Sequence, residues 1–266
     1  MRKNEPASLE LIVFDIGGTI VDHGCMAPVS AFVRAFQALE IQISIEQARG
    51  PMGLAKLDHI RELFKLSSIT QQWQEQYSRD WNEDDVSATY TRFLPLQTQI
   101  AKEHTDVISG FSECWSHLRK ADISIGLTTG YPRDIARPIL AALNQAGFDS
   151  DADVCADEVP AGRPEPFMIQ RIMEECKITN PQAVVKVGDT VPDMQAARNA
   201  DAWGIGITET GSEFGLTKEA LTALSPTERI TRHDVAAAKL RGAGAHAIIK
   251  SLRELPLLIS QDTFRH

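Results

Sequence analysis

Short apolar runs alternating with helix-patterned segments constrain this 266-residue chain more than any other feature. Leu9 to Phe14 reads as a buried strand that stops at Asp15, followed by a tight Ile16-Gly17-Gly18-Thr19 loop. Beyond Gly110, Ser124–Thr129, Val154-Cys155, Ala183–Val187, Trp203–Ile207 and His246–Ile249 read as further strands. Between them Arg133–Gly147, Pro166–Cys176, Pro192–Ala200, Ala220–Leu224 and His233–Leu240 read as helices, with Leu252–Ile259 as a terminal one. Such alternation predicts an α/β fold with a doubly wound parallel sheet, Rossmann-like, covered by helices on both faces. The span Ala27–Glu103 breaks the pattern. Val29–Leu39 and Ile60–Leu66 carry apolar residues at helical spacing, and Gln71–Leu96 is polar with interleaved Trp73, Tyr77, Trp81, Tyr90 and Phe93. The expected organisation is a core of residues 1–24 and 104–266, interrupted by a helical cap over residues 25–103.

Composition narrows the setting. An apolar fraction of 43% is ample for a packed core, and 27 basic against 36 acidic residues leave a charge of −9. No Lys or Arg run forms a basic stripe, so neither nucleic acid nor an anionic membrane is an expected partner. Cys25, Cys114, Cys155 and Cys176 form no CxxC pair, the opening Met1–Pro6 is charged, and no apolar run approaches a membrane span. Free thiols and a cytoplasmic location are expected.

In parallel sheets, ligands sit beyond the carboxyl ends of the strands. Four such places carry polar residues here: Asp15-Ile16-Gly17-Gly18-Thr19, Thr128-Thr129-Gly130-Tyr131, Gly162-Arg163-Pro164, and Lys186-Val187-Gly188-Asp189-Thr190 with Asp193 a turn later. Carboxylates, a hydroxyl, two cations and glycine-rich amides together suit a phosphate and a hard divalent cation. Each piece has a plainer reading. Asp15 can cap a turn, Asp189 and Asp193 can be acids at a helix start, and Arg163 can be a surface ion pair. Their co-occurrence at successive strand ends favours a site.

Asp15-x-Gly17-Gly18-Thr19, Thr129-Gly130, a downstream cation and Gly188-Asp189-x-x-x-Asp193 resemble the haloacid dehalogenase superfamily in order and over the whole chain. The resemblance implies that Asp15 is a nucleophile forming an aspartyl phosphate. It implies a magnesium ion (Mg2+) held by Asp15, the Gly17 carbonyl and Asp189, with Asp193 at or just outside its ligands. Thr129 and nearby amides would hold phosphoryl oxygens, and Arg163 and Lys186 would oppose the charge that develops in transfer.

One departure narrows the activity. Most phosphatases and phosphomutases of that superfamily carry a second aspartate two residues after the nucleophile, which protonates the leaving group. Gly17 has no side chain, and the lost acid would cost roughly 10²- to 10⁴-fold. Met52-Gly53-x-x-Lys56-x-Asp58-His59, Asp22-x-Gly24-Cys25-x-Ala27-Pro28 and Val159-Pro160-Ala161-Gly162-Arg163-Pro164 closely resemble the phosphonoacetaldehyde hydrolases (phosphonatases). That family usually has alanine where Gly17 stands. If Pro51–His59 is helical, Met52, Lys56 and His59 share a face. A solvent-facing lysine on an amphipathic helix is the plainer reading of Lys56 alone.

The resemblance implies hydrolysis of phosphonoacetaldehyde to acetaldehyde and phosphate through a Lys56 Schiff base, with the small-molecule phosphonate as partner. A neutral Lys56 amine requires desolvation or neighbouring cations. Cys25, Met52, Gly130 and Tyr131 are expected along the pocket between cap and core, and His59 as a proton relay or as a structural histidine. A homodimer joined through the caps is expected. The competing readings are a generic magnesium-dependent phosphomonoesterase, indifferent to Lys56, a carbon–halogen dehalogenase needing no metal, and a silent phosphate sensor.

Overall fold

The computed structural model describes residues 8–261, and the charged opening Met1–Pro6 lies outside them. Six parallel strands run in the order β3-β2-β1-β4-β5-β6: β1 (Leu11–Asp15), β2 (Ser124–Thr129), β3 (Ala152–Cys155), β4 (Val184–Gly188), β5 (Trp203–Ile207) and β6 (Ala247–Ile249). Both faces of β1 are buried. Ile12 and Phe14 pack with Phe111, Leu118, Ile125 and Ile139, while Leu11 and Val13 meet Met168, Ile169, Ile172 and Ala196. A strand buried on both sides must be continuously apolar, which is why its one carboxylate sits at its last residue.

Between β1 and β2 lie five helices, α1 (Met26–Gln37), α2 (Ile45–Arg49), α3 (Lys56–Phe64), α4 (Ser67–Tyr77) and α5 (Glu83–Ala101), before α6 (Phe111–Lys120) returns to the sheet. Helices α1 and α3 both pack on α5, with the Phe32 and Phe93 rings stacked at 4.5 Å. The remaining helices are α7 (Arg133–Gln145), α8 (Phe167–Glu175), α9 (Val191–Asn199), α10 (Lys218–Ala223), α11 (Pro226–Gly242) and α12 (Leu255–Gln261).

Two local expectations are corrected and one helical stretch is subdivided. The polar stretch Gln71–Leu96 is divided between α4 and α5, because Ser78 turns left-handed (φ 55°) and Asn82 caps a new helix through the Asp84 and Asp85 amides. Helix α11 starts at Pro226, well before His233, because Ser225 and Glu228 form a reciprocal capping box ahead of it. Residues 51–55 are turn and not helix: Gly53 adopts φ 95°, so α3 begins at Lys56 and Met52 is not on its face. No helix among the described residues is long and apolar enough to cross a membrane.

Candidate active site

Strand β1 lies centrally, with β2 and β4 on either side, so its carboxyl end is the point where the sheet order reverses. Asp15, Thr128 and Lys186 project from one face: Thr128 pairs in register with Asp15, and Lys186 with Val13, two residues earlier. Fully buried Lys186 reaches upward, donating to Thr128 Oγ1 at 2.8 Å and lying 3.1 Å from Asp193 Oδ1. Arg163, in the loop after β3, donates through one nitrogen to Asp15 Oδ1 at 2.8 Å and to Asp193 Oδ1. Thr190 precedes α9 and donates both its amide and its hydroxyl to Asp193 Oδ2.

These contacts sort the carboxylates. Burial alone would raise the Asp193 carboxyl, but Arg163 and Lys186 together outweigh it and hold it at about 2. Asp15 is raised by burial, only partly offset by Arg163. Asp189 stands well above the carboxylate range, through burial and then the charges of Asp15 and Asp193. The Ser212 amide donates to Asp189 Oδ2 at 2.7 Å and the Thr19 hydroxyl to Oδ1 at 3.3 Å, but among the described residues no cation bonds to it. Carboxylate oxygens of Asp15, Asp189 and Asp193 lie within 4.8 Å of one another. Two buried acids whose charge burial disfavours, one of them without a bonded cation, are a donor set that a hard divalent cation fits. Asp193, already occupied by Arg163, Lys186 and Thr190, is the least free of the three.

A cavity of about 20 Å³ opens above Asp15, lined by Gly17, Cys25, Pro28, Met52, Gly53, Lys56, Thr129, Gly130, Tyr131, Arg163 and Thr190. Lys56 is 6% exposed and, among the described residues, has no carboxylate within bonding distance; its Nζ lies 5.0 Å from the Tyr131 ring centroid and 5.7 Å from that of Phe32. Burial, with a smaller contribution from the Arg163 charge, lowers this amine to about 8. Cys25 and Tyr131, both buried, are pushed well above their ordinary values, chiefly by desolvation. A roomier groove of about 290 Å³ beside α11, lined by Glu209, Arg229 and His233, holds none of these residues.

Three loops close the cavity by close backbone approach. A β-carbon on Gly130 would stand 2.8 Å from the Leu54 carbonyl, one on Gly162 3.2 Å from Ala55, and one on Gly53 2.4 Å from Thr190 Oγ1. The turn carrying Met52 therefore lies directly on the loops after β2, β3 and β4.

The structure brings together Asp15, Gly17, Cys25, Met52, Lys56, Thr129, Gly130, Tyr131 and Arg163 around one cavity, with Lys186, Asp189 and Asp193 beneath and beside it. It does not bring His59 there. That ring stacks on Phe32 at 3.8 Å, its Nε2 meets the Ala48 carbonyl at 2.9 Å, and burial followed by the Lys56 charge keeps it well below 6.5, hence neutral. One turn on from Lys56 the helix has already rotated into the apolar interior. Sequence reasoning assigned nothing to Pro28, Thr190 or Gln97. Pro28 and Thr190 lie inside quoted motifs; Gln97 is a lone amide in α5, with no local signal.

Residues 9–201 match the family model of haloacid dehalogenase-like hydrolases, and residues 160–255 match a second, HAD-hydrolase-like model. Fold and site thus define a hydrolase of the haloacid dehalogenase superfamily. The chain is 37% identical to the phosphonoacetaldehyde hydrolase of Paraburkholderia phytofirmans over 93% of its own length and 92% of that protein's. It is 38% identical to that of Bordetella pertussis, over 96% and 92%. A crystal structure of a phosphonoacetaldehyde hydrolase-like protein from Oleispira antarctica superposes with a TM-score of 0.95 at 32% identity, covering 100% of this chain and 97% of that one. This chain belongs to the phosphonoacetaldehyde hydrolase family.

Proposed function

We propose that this hydrolase cleaves the carbon–phosphorus bond of phosphonoacetaldehyde, giving acetaldehyde and phosphate. The observation that carries the reading is Lys56: a buried amine lowered to about 8, with no bonded carboxylate among the described residues, facing the same small cavity as Asp15 and Arg163. An ordinary phosphate ester needs a proton donor for its leaving alkoxide, which Gly17 does not supply. A phosphonate instead expels carbon, and carbon needs an electron sink.

The residues divide the work as follows. Neutral Lys56 attacks the aldehyde, and the carbinolamine takes up a proton from solvent and loses water to give a protonated imine. A carboxylate oxygen of Asp15 attacks phosphorus; the phosphorus–carbon bond breaks, and its electron pair flows into the imine to leave a neutral enamine. Arg163 holds Asp15 in line and meets the phosphoryl charge, while Thr129 and the amides beyond β1 and β2 orient the oxygens. Water then hydrolyses the aspartyl phosphate. Protonation of the enamine carbon and hydrolysis of the resulting imine release acetaldehyde. Magnesium, held by Asp15, the Gly17 carbonyl and Asp189, would neutralise charge between nucleophile and phosphate.

Helices α1–α5, with their flanking turns over residues 25–103, act as the cap, carrying Cys25, Met52 and Lys56, while residues 1–24 and 104–266 form the core. The family resemblance supports two copies pairing through these caps, whose surface exposes Ile45 (52%) and Tyr77 (38%). Light scattering at a mass of one chain would refute that pairing.

The test is borohydride trapping with phosphonoacetaldehyde followed by peptide mass mapping. A reduced two-carbon adduct on Lys56, with activity lost only when substrate is present, is expected. Turnover of common phosphate esters with no adduct at Lys56 would favour the generic phosphomonoesterase instead.

A further inference from the structure

Gln97 lies in the middle of α5 and is fully buried, yet it is polar. Its Nε2 donates to the Tyr131 hydroxyl at 3.1 Å, and its Oε1 has no hydrogen-bond partner among the described residues. An aliphatic side chain of similar length would fill the same space without stranding an oxygen, so packing alone does not account for an amide here. The bond joins α5 of the cap to the loop after β2 in the core, across the side of the cavity where Lys56 stands.

The backbone around Tyr131 is already held at two points: its amide donates to Thr129 Oγ1 at 3.1 Å, and its carbonyl accepts from the Ala156 amide at 3.1 Å. What remains free is the ring. The Gln97 contact holds its hydroxyl end, and Lys56 Nζ stands over the ring, 5.0 Å from its centroid. With Phe32, over which Nζ also lies at 5.7 Å, it forms the aromatic wall beside that amine.

We propose that Gln97 is a positioning residue for the reacting lysine. By holding the Tyr131 hydroxyl from the cap side, it fixes the aromatic wall that aims the Lys56 amine at the aldehyde. The assignment rests on the reading that Lys56 forms the imine. Without the tether nothing holds the far end of the ring, which turns and opens space beside Nζ. Imine formation and kcat fall, while KM, governed by the phosphonate end at Asp15, Thr129 and Arg163, changes little.

Four proteins test it: wild type, Gln97→Met, Tyr131→Phe and the double variant, each followed by kcat, KM and the rate of borohydride trapping at Lys56. Gln97→Leu serves if Gln97→Met does not fold, with thermal unfolding as the control. Gln97→Met is expected to slow trapping and kcat about fivefold with KM within about twofold. Tyr131→Phe is expected to do the same, and the double variant to be no worse than either single one, because both remove one contact. A merely structural glutamine lowers thermal stability but does not couple to the Tyr131 hydroxyl in kcat. If wild type is trapped at Lys56 and Gln97→Met is trapped equally fast, or if the two losses multiply, the Gln97 assignment is overturned while the imine reading stands. If wild type itself gives no Lys56 adduct, both are overturned.

Discussion

Gly17 and Lys56 carry the chemistry that separates this site from a phosphatase, and each has its own consequence at the residue scale. A β-carbon at Gly17 would lie 3.6 Å from Cys25 Sγ, an ordinary contact, and the backbone there is not left-handed. Gly17→Ala is therefore expected to raise stability by about 0.4–1 kcal/mol through the unfolded chain and to leave kcat within about twofold. Thermal denaturation and steady-state rates check it, and a tenfold loss would mean that the loop needs glycine's freedom. For Lys56, burial and Arg163 lower the amine from 10.5 to about 8. Only the neutral form attacks, so trapping should accelerate with pH through about 8 and level off above it. The unfolded chain binds the proton more tightly, so the penalty on folding is full below pH 8 and fades toward 10.5. Lys56→Met should accordingly stabilise the fold at pH 7 by up to about 3 kcal/mol while abolishing the adduct. A destabilised variant in calorimetry would contradict the desolvated amine.

At the scale of elements, what matters is where helices begin. Asp22, itself left-handed at φ 56°, accepts from the Met26 and Ala27 amides at 3.0 Å each and so caps α1 from outside it. Its Oδ1 also meets His104 Nδ1 at 3.0 Å, joining the two chain segments that cross between cap and core. That pairing, first through the hydrogen bond, raises His104 above 6.5, so its contribution is complete at acid pH and lost as pH climbs through the raised value. Asp22→Ala should cost about 1–2 kcal/mol in urea denaturation at pH 6, and an unchanged midpoint would show the cap to be idle. Caps explain which boundaries were legible. The Ser225/Glu228 capping box marks the start of α11 in the sequence itself, whereas apolar spacing marks it only from near His233. The left-handed Ser78 carries no such signal, whereas Gly53 is the residue type that a left-handed turn favours.

On the scale of the molecule, the cap reaches the core through backbone. Gly130 faces the Leu54 carbonyl and also lies within 3.2 Å of Arg163 as a β-carbon position. A methyl there must displace the turn that delivers Lys56, so Gly130→Ala is expected to cut kcat about 10²-fold. Its unfolding transition should stay close to wild type. Equal kcat values would mean that the cap does not dock this way during turnover.

The strand-end motifs, the parallel sheet and the helical block after β1 were determined by the sequence alone. Buried parallel strands need unbroken apolar runs, and their carboxyl ends all open on one edge, so polar residues placed there converge without further instruction. Only the tertiary structure decided how those residues share their charges. Asp193 holds both Arg163 and Lys186, Asp189 is left short of a cation, His59 turns inward to Phe32, and Gln97 reaches Tyr131. Such pairings join residues as distant as Thr19 and Asp189, 170 positions apart. They depend on desolvation and on ångström-scale approach, quantities that exist only once the chain has closed around them.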